Sequence, residues 1–379
     1  MSRNALNNGR GSEATGGNPN AHAAASVFPA NASRHFTLNT LQPPRHSFSI
    51  NLQRTLWQYL LCLVLPLLFS LAPSASAQPQ KRPLTIRFQT FNGSTYLYMV
   101  DVATFYGMNM MVNGKDVTFK SKFSTITFVE NSRQMTLNNV QFYLSRPIAK
   151  TKQAFLIGKS DFELVLEPIL RPTTITPKRP IKTILVDPGH GGKDVGAVNG
   201  KDYEKDVNLA VALRLATKLK ARGFNVYMTR NKDSEIGLDK RTKFADTIDA
   251  DLFISIHCNS ASPSVNGLET YIATPKNDPA VGTTVISRDP CSANKFDKAN
   301  AYLAYYTQRA LIQRTGVADR GVRRKRYYVI RNTNCPSMLI EIGFISNNAE
   351  LANLKNPIRQ EKITDAILDG IIKYRDATQ

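Results

Sequence analysis

The chain has 379 residues, 42% of them hydrophobic and 21% charged, with a formal net charge of +20 at pH 7. These values exclude a mainly disordered chain, a collagen and a membrane protein with many spans, and the length suits two or three domains. Four cysteines without C-x-x-C spacing exclude a disulfide scaffold and a cysteine-based zinc knuckle. The excess of positive charge favours an anionic partner.

The first 77 residues are predicted to be a disordered tail followed by an export signal. Residues 1–50 are rich in Asn, Ala, Ser and Gly and show almost no apolar periodicity. Residues 60–72 are apolar but fall short of the ~20 residues that span a bilayer. Arg54 precedes this run and Ala-Ser-Ala at 75–77 follows it, as in a cleavable secretory signal. We therefore expect an exported protein of the periplasm or cell envelope, and an uncleaved signal anchor is the alternative.

Residues 83–168 are predicted to form a small β-rich accessory domain, followed by a proline-containing linker at 169–180. Runs of β-branched and aromatic residues between turn signals predict strands at 85–88, 96–99, 117–120, 124–129 and 155–157. Residues 100–108 are the best helix candidate here. The domain contains no histidine, and either a scaffold without a ligand or a wall-binding module fits it.

Residues 181–376 alternate strand and helix patterns, which indicates βαβ units. The predicted strands are 183–186, 225–229, 251–256, 268–273, 327–330 and 338–342, and the predicted helices are 205–222, 238–247, 298–315 and 360–375. The predicted fold class is α/β, a mainly parallel twisted sheet flanked by helices and preceded by the small β-rich domain. Sheets of this kind place their sites beyond the carboxyl ends of the strands.

Three residues near these strand ends have the chemistry of zinc ligands. His190 follows the strand 183–186, Glu204 begins the next helix, and His257 follows the strand 251–256. Two imidazoles, one carboxylate and a water form the open tetrahedral arrangement of a hydrolytic zinc ion. Each histidine could instead be a hydrogen-bonded surface residue. Glu204 could be an acid favoured at a helix N-terminus.

Glu341 lies within the apolar strand 338–342. A buried carboxylate without a partner is costly, so this residue requires a cation, a proton or a substrate. It is therefore a candidate for direct participation in chemistry.

These segments together resemble the zinc-dependent N-acetylmuramoyl-L-alanine amidases of the amidase-3 type. The resemblance covers about 181–375 and rests on segments in register at 184–192, 204, 253–260, 267–271, 319–322 and 338–347. Cys258 and Ile342 depart slightly from the family pattern. Residues 83–168 resemble, less closely, the AMIN-type or copper amine oxidase N-terminal-like modules that accompany cell-wall enzymes.

The amidase resemblance implies that His190, Glu204 and His257 hold one Zn²⁺ and that Glu341 is the catalytic carboxylate. The implied substrate is peptidoglycan, cut at the amide between N-acetylmuramic acid and L-alanine. Asn259 is a weaker candidate for substrate binding, and Asp187 is a weaker candidate for orienting His190 from behind.

Two other functions remain open, a zinc peptidase acting on the stem peptides of the wall and a non-enzymatic wall-binding or activator protein. The basic run at 320–326 is either a solvated face or a surface that attracts anionic polymers of the wall or outer membrane. Export argues against nucleic acid as a partner. We expect a monomer that meets the membrane only through its signal segment.

Overall fold

The computed structural model describes residues 85–176, 180–286 and 288–379. The predicted tail and export signal at 1–77 lie outside these residues. Among the helices of the described part, none has both the length and the apolar character needed to cross a membrane.

The described residues contain 17 strands, several of them short. They are β1 (Phe88–Phe91), β2 (Ser94–Tyr98), β3 (Asn109–Asn113), β4 (Asp116–Lys120), β5 (Thr125–Val129), β6 (Gln134–Leu137), β7 (Val140–Tyr143), β8 (Ala149–Lys150), β9 (Phe155–Gly158), β10 (Thr183–Pro188), β11 (Val198–Asn199), β12 (Asp202–Tyr203), β13 (Asn225–Met228), β14 (Leu252–Asn259), β15 (Leu268–Ala273), β16 (Asp319–Lys325) and β17 (Ser337–Phe344).

The α-helices of the same residues include three long ones that cover one face of the large sheet. The helices are α1 (Met99–Phe105), α2 (Lys159–Asp161), α3 (Glu167–Leu170), α4 (Glu204–Ala221), α5 (Leu238–Thr247), α6 (Asp297–Thr315), α7 (Tyr328–Arg331), α8 (Asn348–Lys355) and α9 (Pro357–Thr378). A π-helical turn (Phe162–Leu166) joins α2 to α3, and 3-10 turns occupy Pro172–Thr174 and Ser292–Phe296.

One mixed sheet organises most of these elements, in the order β13-β10-β14-β17-β15-β16-β7-β6-β5-β4-β3. β13, β10, β14 and β17 are mutually parallel, and β15 runs antiparallel to β17. The α/β prediction is confirmed. The order β10–β14–β17 brings the carboxyl ends of three predicted strands to the same edge.

Both faces of the central strands are buried, which explains their continuous apolar runs. Ile184 of β10 and Ile254 of β14 belong to the large core that includes buried residues of α4, α6 and α9. Leu185 and Phe253, the next residue along each strand, belong to a second core with residues of α5 and α7. The sheet is therefore sandwiched between helices.

The predicted accessory and catalytic regions share one sheet and one core. β7 pairs in parallel with β16 through Phe142 and Val322, so β3–β7 continue the catalytic sheet. In the region predicted as a linker, Ile169 of α3 and Ile175 after the 3-10 turn are both buried, and α3 contacts α6. Apolar side chains inside this proline-containing stretch thus anchor its described part to the core.

The prediction of a strand at 327–330 was wrong, because this segment forms the short helix α7. Val329 and Ile330 are buried in the second core, and an apolar run of four residues does not distinguish a helical turn from a strand. The strand of this region is β16, which contains the basic run.

The basic run is not a solvated face. Arg324 is 1% exposed and lies 3.4 Å from Asp161, while Arg320 and Arg323 form ion pairs with Glu269. These long-range partners explain how a strongly charged segment becomes an internal strand.

Asp297, the first residue of α6, makes a pH-dependent contribution to stability that can be measured. Burial raises its pKa to about 7, against smaller opposing effects of Arg324 and Asn294. Because the folded state holds this proton more tightly than the unfolded chain, the stabilisation is complete below pH 4 and is lost as the pH rises through 7. Between pH 5 and pH 8 the wild type should lose about 2.7 kcal/mol of unfolding free energy through this group, and we expect D297N to abolish that loss. Urea unfolding at both pH values checks this, and equal losses in the two proteins would contradict it.

Candidate functional site

The three predicted zinc ligands come together at the edge of the sheet. His190 follows β10, His257 lies near the end of the neighbouring parallel strand β14, and Glu204 begins α4. Their candidate ligand atoms all lie within 4.8 Å of one another. The two imidazole rings are 5.0 Å apart between centroids and nearly perpendicular.

The backbone next to His190 lies very close to the imidazole ring of His257. A Cβ atom at Gly189 would lie 2.2 Å from Cε1 of His257, a distance that no side chain tolerates. His190 itself has a φ of 61°, in the left-handed region that favours glycine. The turn therefore places the two imidazoles together at the cost of an unfavourable backbone conformation.

Glu204 lies between the two imidazoles. Its Oε2 is 3.2 Å from Nε2 of His190 and its Oε1 is 3.0 Å from Nδ1 of His257. Backbone N–H groups of Ala197 and Cys258 donate to the same two oxygens at 2.9 and 3.1 Å. Burial raises the pKa of Glu204, but the hydrogen bonds with the imidazoles outweigh burial and the net pKa lies below its ordinary value. An ionised carboxylate with two imidazoles is a donor set that suits zinc.

Asp194 orients the ring of His190. Its Oδ1 lies 2.8 Å from Nδ1 of His190, which leaves Nε2 directed at Glu204. Burial lowers the pKa of His190, but Glu204 and Asp194 together raise it above its ordinary value. A carboxylate behind an imidazole fixes both the tautomer and the ring orientation of a metal ligand.

The structure contradicts the predicted contact between Asp187 and His190. The buried carboxylate of Asp187 instead accepts hydrogen bonds from Arg241 (2.6 Å), Thr229 (2.6 Å) and Ser255 (2.8 Å). Arg241 also donates to the backbone carbonyl of His190 at 2.8 Å. Asp187 therefore supports the loop through Arg241, because Arg241, Thr229 and Ser255 occupy its carboxylate oxygens.

Glu341 lies on β17, where it is the Cα partner of His257 on β14. It is 8% exposed, and within the described residues its Oε2 has no hydrogen-bond partner. Burial, with smaller effects of Glu204 and Glu269, raises its pKa well above the ordinary value. A carboxyl group with a free oxygen beside the candidate ligands suits general acid–base work.

A cavity of about 470 Å³ connects these groups. His190, Glu204, His257 and Glu341 line it together with Asn259, whose amide donates to Glu269 at 2.9 Å and accepts from the N–H of Ser260 at 2.8 Å. Partly exposed apolar and aromatic side chains form its walls, among them Leu238, Tyr327 and Tyr328. The lining thus combines a few polar groups with apolar and aromatic surface, as expected of a small-molecule site.

Sequence reasoning missed Asp194, Arg241 and Glu269. Asp194 lies four residues after His190 in a glycine-rich loop, so proximity along the chain was the available signal. No local pattern identified Arg241 or Glu269, because their partners lie on other elements of the fold.

Comparison with known proteins gives a consistent result for the region that carries the site. A family model described as N-acetylmuramoyl-L-alanine amidase (Amidase_3) matches residues 184–373. The uncharacterized protein YqiI of Bacillus subtilis is 37% identical over 196 residues, which are 52% of this chain and 85% of YqiI. The N-acetylmuramoyl-L-alanine amidase LytC of the same organism is 37% identical over 201 residues, which are 52% of this chain but only 36% of LytC. Among solved structures, the catalytic domain of CwlV, an N-acetylmuramoyl-L-alanine amidase from Bacillus (Paenibacillus) polymyxa, is 36% identical, with 52% of this chain and 99% of that domain covered and a TM-score of 0.44.

Proposed function

The chain belongs to the Amidase_3 family of N-acetylmuramoyl-L-alanine amidases, and from this premise we propose that it hydrolyses the amide between N-acetylmuramic acid and L-alanine in peptidoglycan. The reaction would be zinc-dependent and would take place in the cell envelope. The observation that carries the proposal is the approach of the ligand atoms of His190, Glu204 and His257 to within 4.8 Å, with Glu341 on the neighbouring strand and its Oε2 free of hydrogen bonds among the described residues.

The donor set fits zinc. Two imidazole nitrogens and one carboxylate form a three-ligand site that leaves a fourth position open, and Asp194 supports one imidazole from behind. His190, Glu204 and His257 would hold the ion. When bound, zinc would supply Lewis acidity, polarising the scissile carbonyl and lowering the pKa of water at the open position.

Residues of the chain itself would transfer the protons and orient the substrate. Glu341 would take a proton from the attacking water through its free oxygen and deliver it to the amine of L-alanine as the amide breaks. Asn259, with one N–H and one lone pair still available, would hydrogen-bond the substrate. Leu238 and the two wall tyrosines would exclude water from the reacting amide.

Peptidoglycan is the proposed substrate because LytC carries the name of that amidase, although the match spans about a third of LytC. Anionic polymers of the wall or outer membrane receive little support from the basic run, since three of its arginines form internal ion pairs. That the region 83–168 is an AMIN-like module stays a prediction, as do export and the monomeric state.

Two measurements on the purified chain test the proposal. We expect about one zinc per chain by elemental analysis, and a value near zero for H190A, because two remaining donors bind zinc far more weakly than three. Digested peptidoglycan should release stem peptides whose L-alanine amine is free, and a chelator should stop this release until zinc is restored. Cleavage within the stem peptide would instead identify a peptidase, and a metal-free chain after zinc loading would contradict the site.

A further inference from the structure

A second buried glutamate lies next to Glu341 and has no part in the proposed hydrolysis. Glu269 of β15 is 2% exposed and is the Cα partner of Glu341 across the antiparallel pair β15–β17. Side chains directly opposite one another in such a pair have Cβ atoms about 4.5–5.5 Å apart, and like charges there are destabilising. Glu269 therefore needs compensating charge.

Two arginines of β16 provide this charge. Arg320 donates through Nε to Oε1 of Glu269 at 2.7 Å, and Nη2 of Arg323 lies 3.5 Å from the same oxygen. Among the residues that the structure describes, Glu341 has no ion pair of its own, so the two neighbouring carboxylates differ. Glu269 is held by cations, and Glu341 stays available for the substrate.

The other oxygen of Glu269 contacts a residue that lines the cavity. Oε2 accepts a hydrogen bond from the side-chain amide of Asn259 at 2.9 Å and another from the hydroxyl of Tyr271 at 2.5 Å. Because a carboxylate only accepts, it fixes which side of the Asn259 amide carries the NH₂ group. Burial raises the pKa of Tyr271, so its hydroxyl keeps the proton that it donates.

Tyr271 extends this arrangement to the cavity wall. Its ring packs edge-on against Tyr327, with centroids 5.1 Å apart, and Tyr327 lines the same cavity as the candidate zinc ligands. A single buried carboxylate thus contacts one cavity residue, Asn259, and supports a second through an aromatic pair.

We propose that Glu269 is a positioning residue of this site: it holds Asn259 directly, and Tyr327 through Tyr271, where the muramyl-peptide enters, with Arg320 and Arg323 balancing its charge. This inference rests on the proposed function. Asn259 then offers its remaining N–H and lone pair in one fixed orientation, so the substrate meets a preorganised polar group.

The test compares kcat and KM of the zinc-loaded full chain on a soluble muramyl-peptide. E269Q should keep one zinc per chain while kcat/KM falls about 10–100-fold, as is usual when a residue supporting a site is removed. The kcat/KM of N259A should fall by a similar factor. Because Glu269 acts through Asn259, the effects of the two substitutions should not multiply. The kcat/KM of the double variant N259A/E269Q should be no more than about threefold below that of the less active single variant.

E350Q is the matched control. Glu350 is also buried and accepts the backbone N–H groups of Gly267 and Phe344, but it does not line the cavity. We expect a lower Tm for E350Q with kcat/KM within about twofold of wild type. A purely structural role for Glu269 would give E269Q this same behaviour.

The outcomes separate the two proposals. Two results with an active wild type would overturn the role of Glu269 and leave the amidase proposal intact. One is a kcat/KM of E269Q within about twofold of wild type, and the other is a double variant in which the losses of kcat/KM multiply fully. A zinc-loaded wild type that releases no stem peptide would overturn the amidase and this inference with it. If E269Q does not fold, Y271F takes its place in the test. We expect the kcat/KM of Y271F to fall about threefold to tenfold at full zinc content, and an unchanged kcat/KM would contradict the proposal.

Discussion

We expect the replacement of Glu341 with glutamine to lower the rate of the proposed stem-peptide release by a factor of about 10²–10⁴, the usual contribution of a general acid–base group. Glutamine preserves the size of the side chain but cannot take a proton from water. Since Glu341 is not among the three clustered donors, zinc content should remain at about one per chain. Initial rates of muramyl-peptide hydrolysis and elemental analysis of E341Q are the required measurements.

The stability of E341Q separates catalysis from folding. Burial raises the pKa of Glu341, so the metal-free folded chain favours its neutral form and loses stability as the pH rises through this raised value. A zinc ion held by the neighbouring ligands would favour the carboxylate, which is the form that takes the proton in the proposed reaction. E341Q, which is always neutral, should therefore be at least as stable as the wild type at pH 8 when both proteins are free of metal. E361Q, at an exposed position on α9, is the control and should retain full activity. Loss of zinc in E341Q, or activity above a tenth of wild type, would contradict the assignment.

Replacing Arg324 with leucine should destabilise the chain by about 3–5 kcal/mol, the cost of removing one member of a buried ion pair. Arg324 contacts Asp161 and the hydroxyl of Ser145, and all three residues are buried. Without the arginine, the carboxylate of Asp161 would remain in the core without a cation. Urea unfolding of R324L and wild type measures the difference.

The pH dependence and a second substitution identify the cause. Burial raises the pKa of Asp161 despite the opposing effect of Arg324, so the loss in R324L should be larger at pH 8 than at pH 5. D161N in the R324L background should recover at least half of the loss, because no charge is then buried. R326L is the control, since Arg326 donates to the carbonyl of the exposed Asp289 and forms no ion pair with any residue that the structure describes, and its change in unfolding free energy should stay within about 0.5 kcal/mol. A loss in R324L that is unaffected by D161N would show that lost packing, and not the charge, is responsible.

Much of the α/β region could be predicted because its signals are local. The apolar runs of β10 and β14 reflect burial on both faces, and the pattern of α4 reflects one face against the sheet. His190 and His257 were identifiable because each follows such a run and parallel neighbours bring their carboxyl ends together. The pairing of β10 with β14 was the assumption on which the site depended, and the structure confirms it.

The remaining features depend on contacts between distant segments. From its sequence alone, β16 resembles a solvated basic stretch. Its acidic partners Asp161 and Glu269 lie on distant segments and come next to it only in the folded chain. Whether Asp187 or Asp194 contacts His190 depends on the other partners of Asp187, which are Ser255 and Arg241 on other elements. No periodicity in the sequence contains this information.

The backbone pairing of β7 with β16 has a consequence for how such a chain could be assembled during evolution. A module joined by a tether can be exchanged between enzymes by recombination at the tether. Here an exchanged module would need a strand that pairs with β16 and an acidic residue positioned to form an ion pair with Arg324, as Asp161 does. Within this chain, the residues on the two sides of the β7–β16 pair are therefore expected to change in concert.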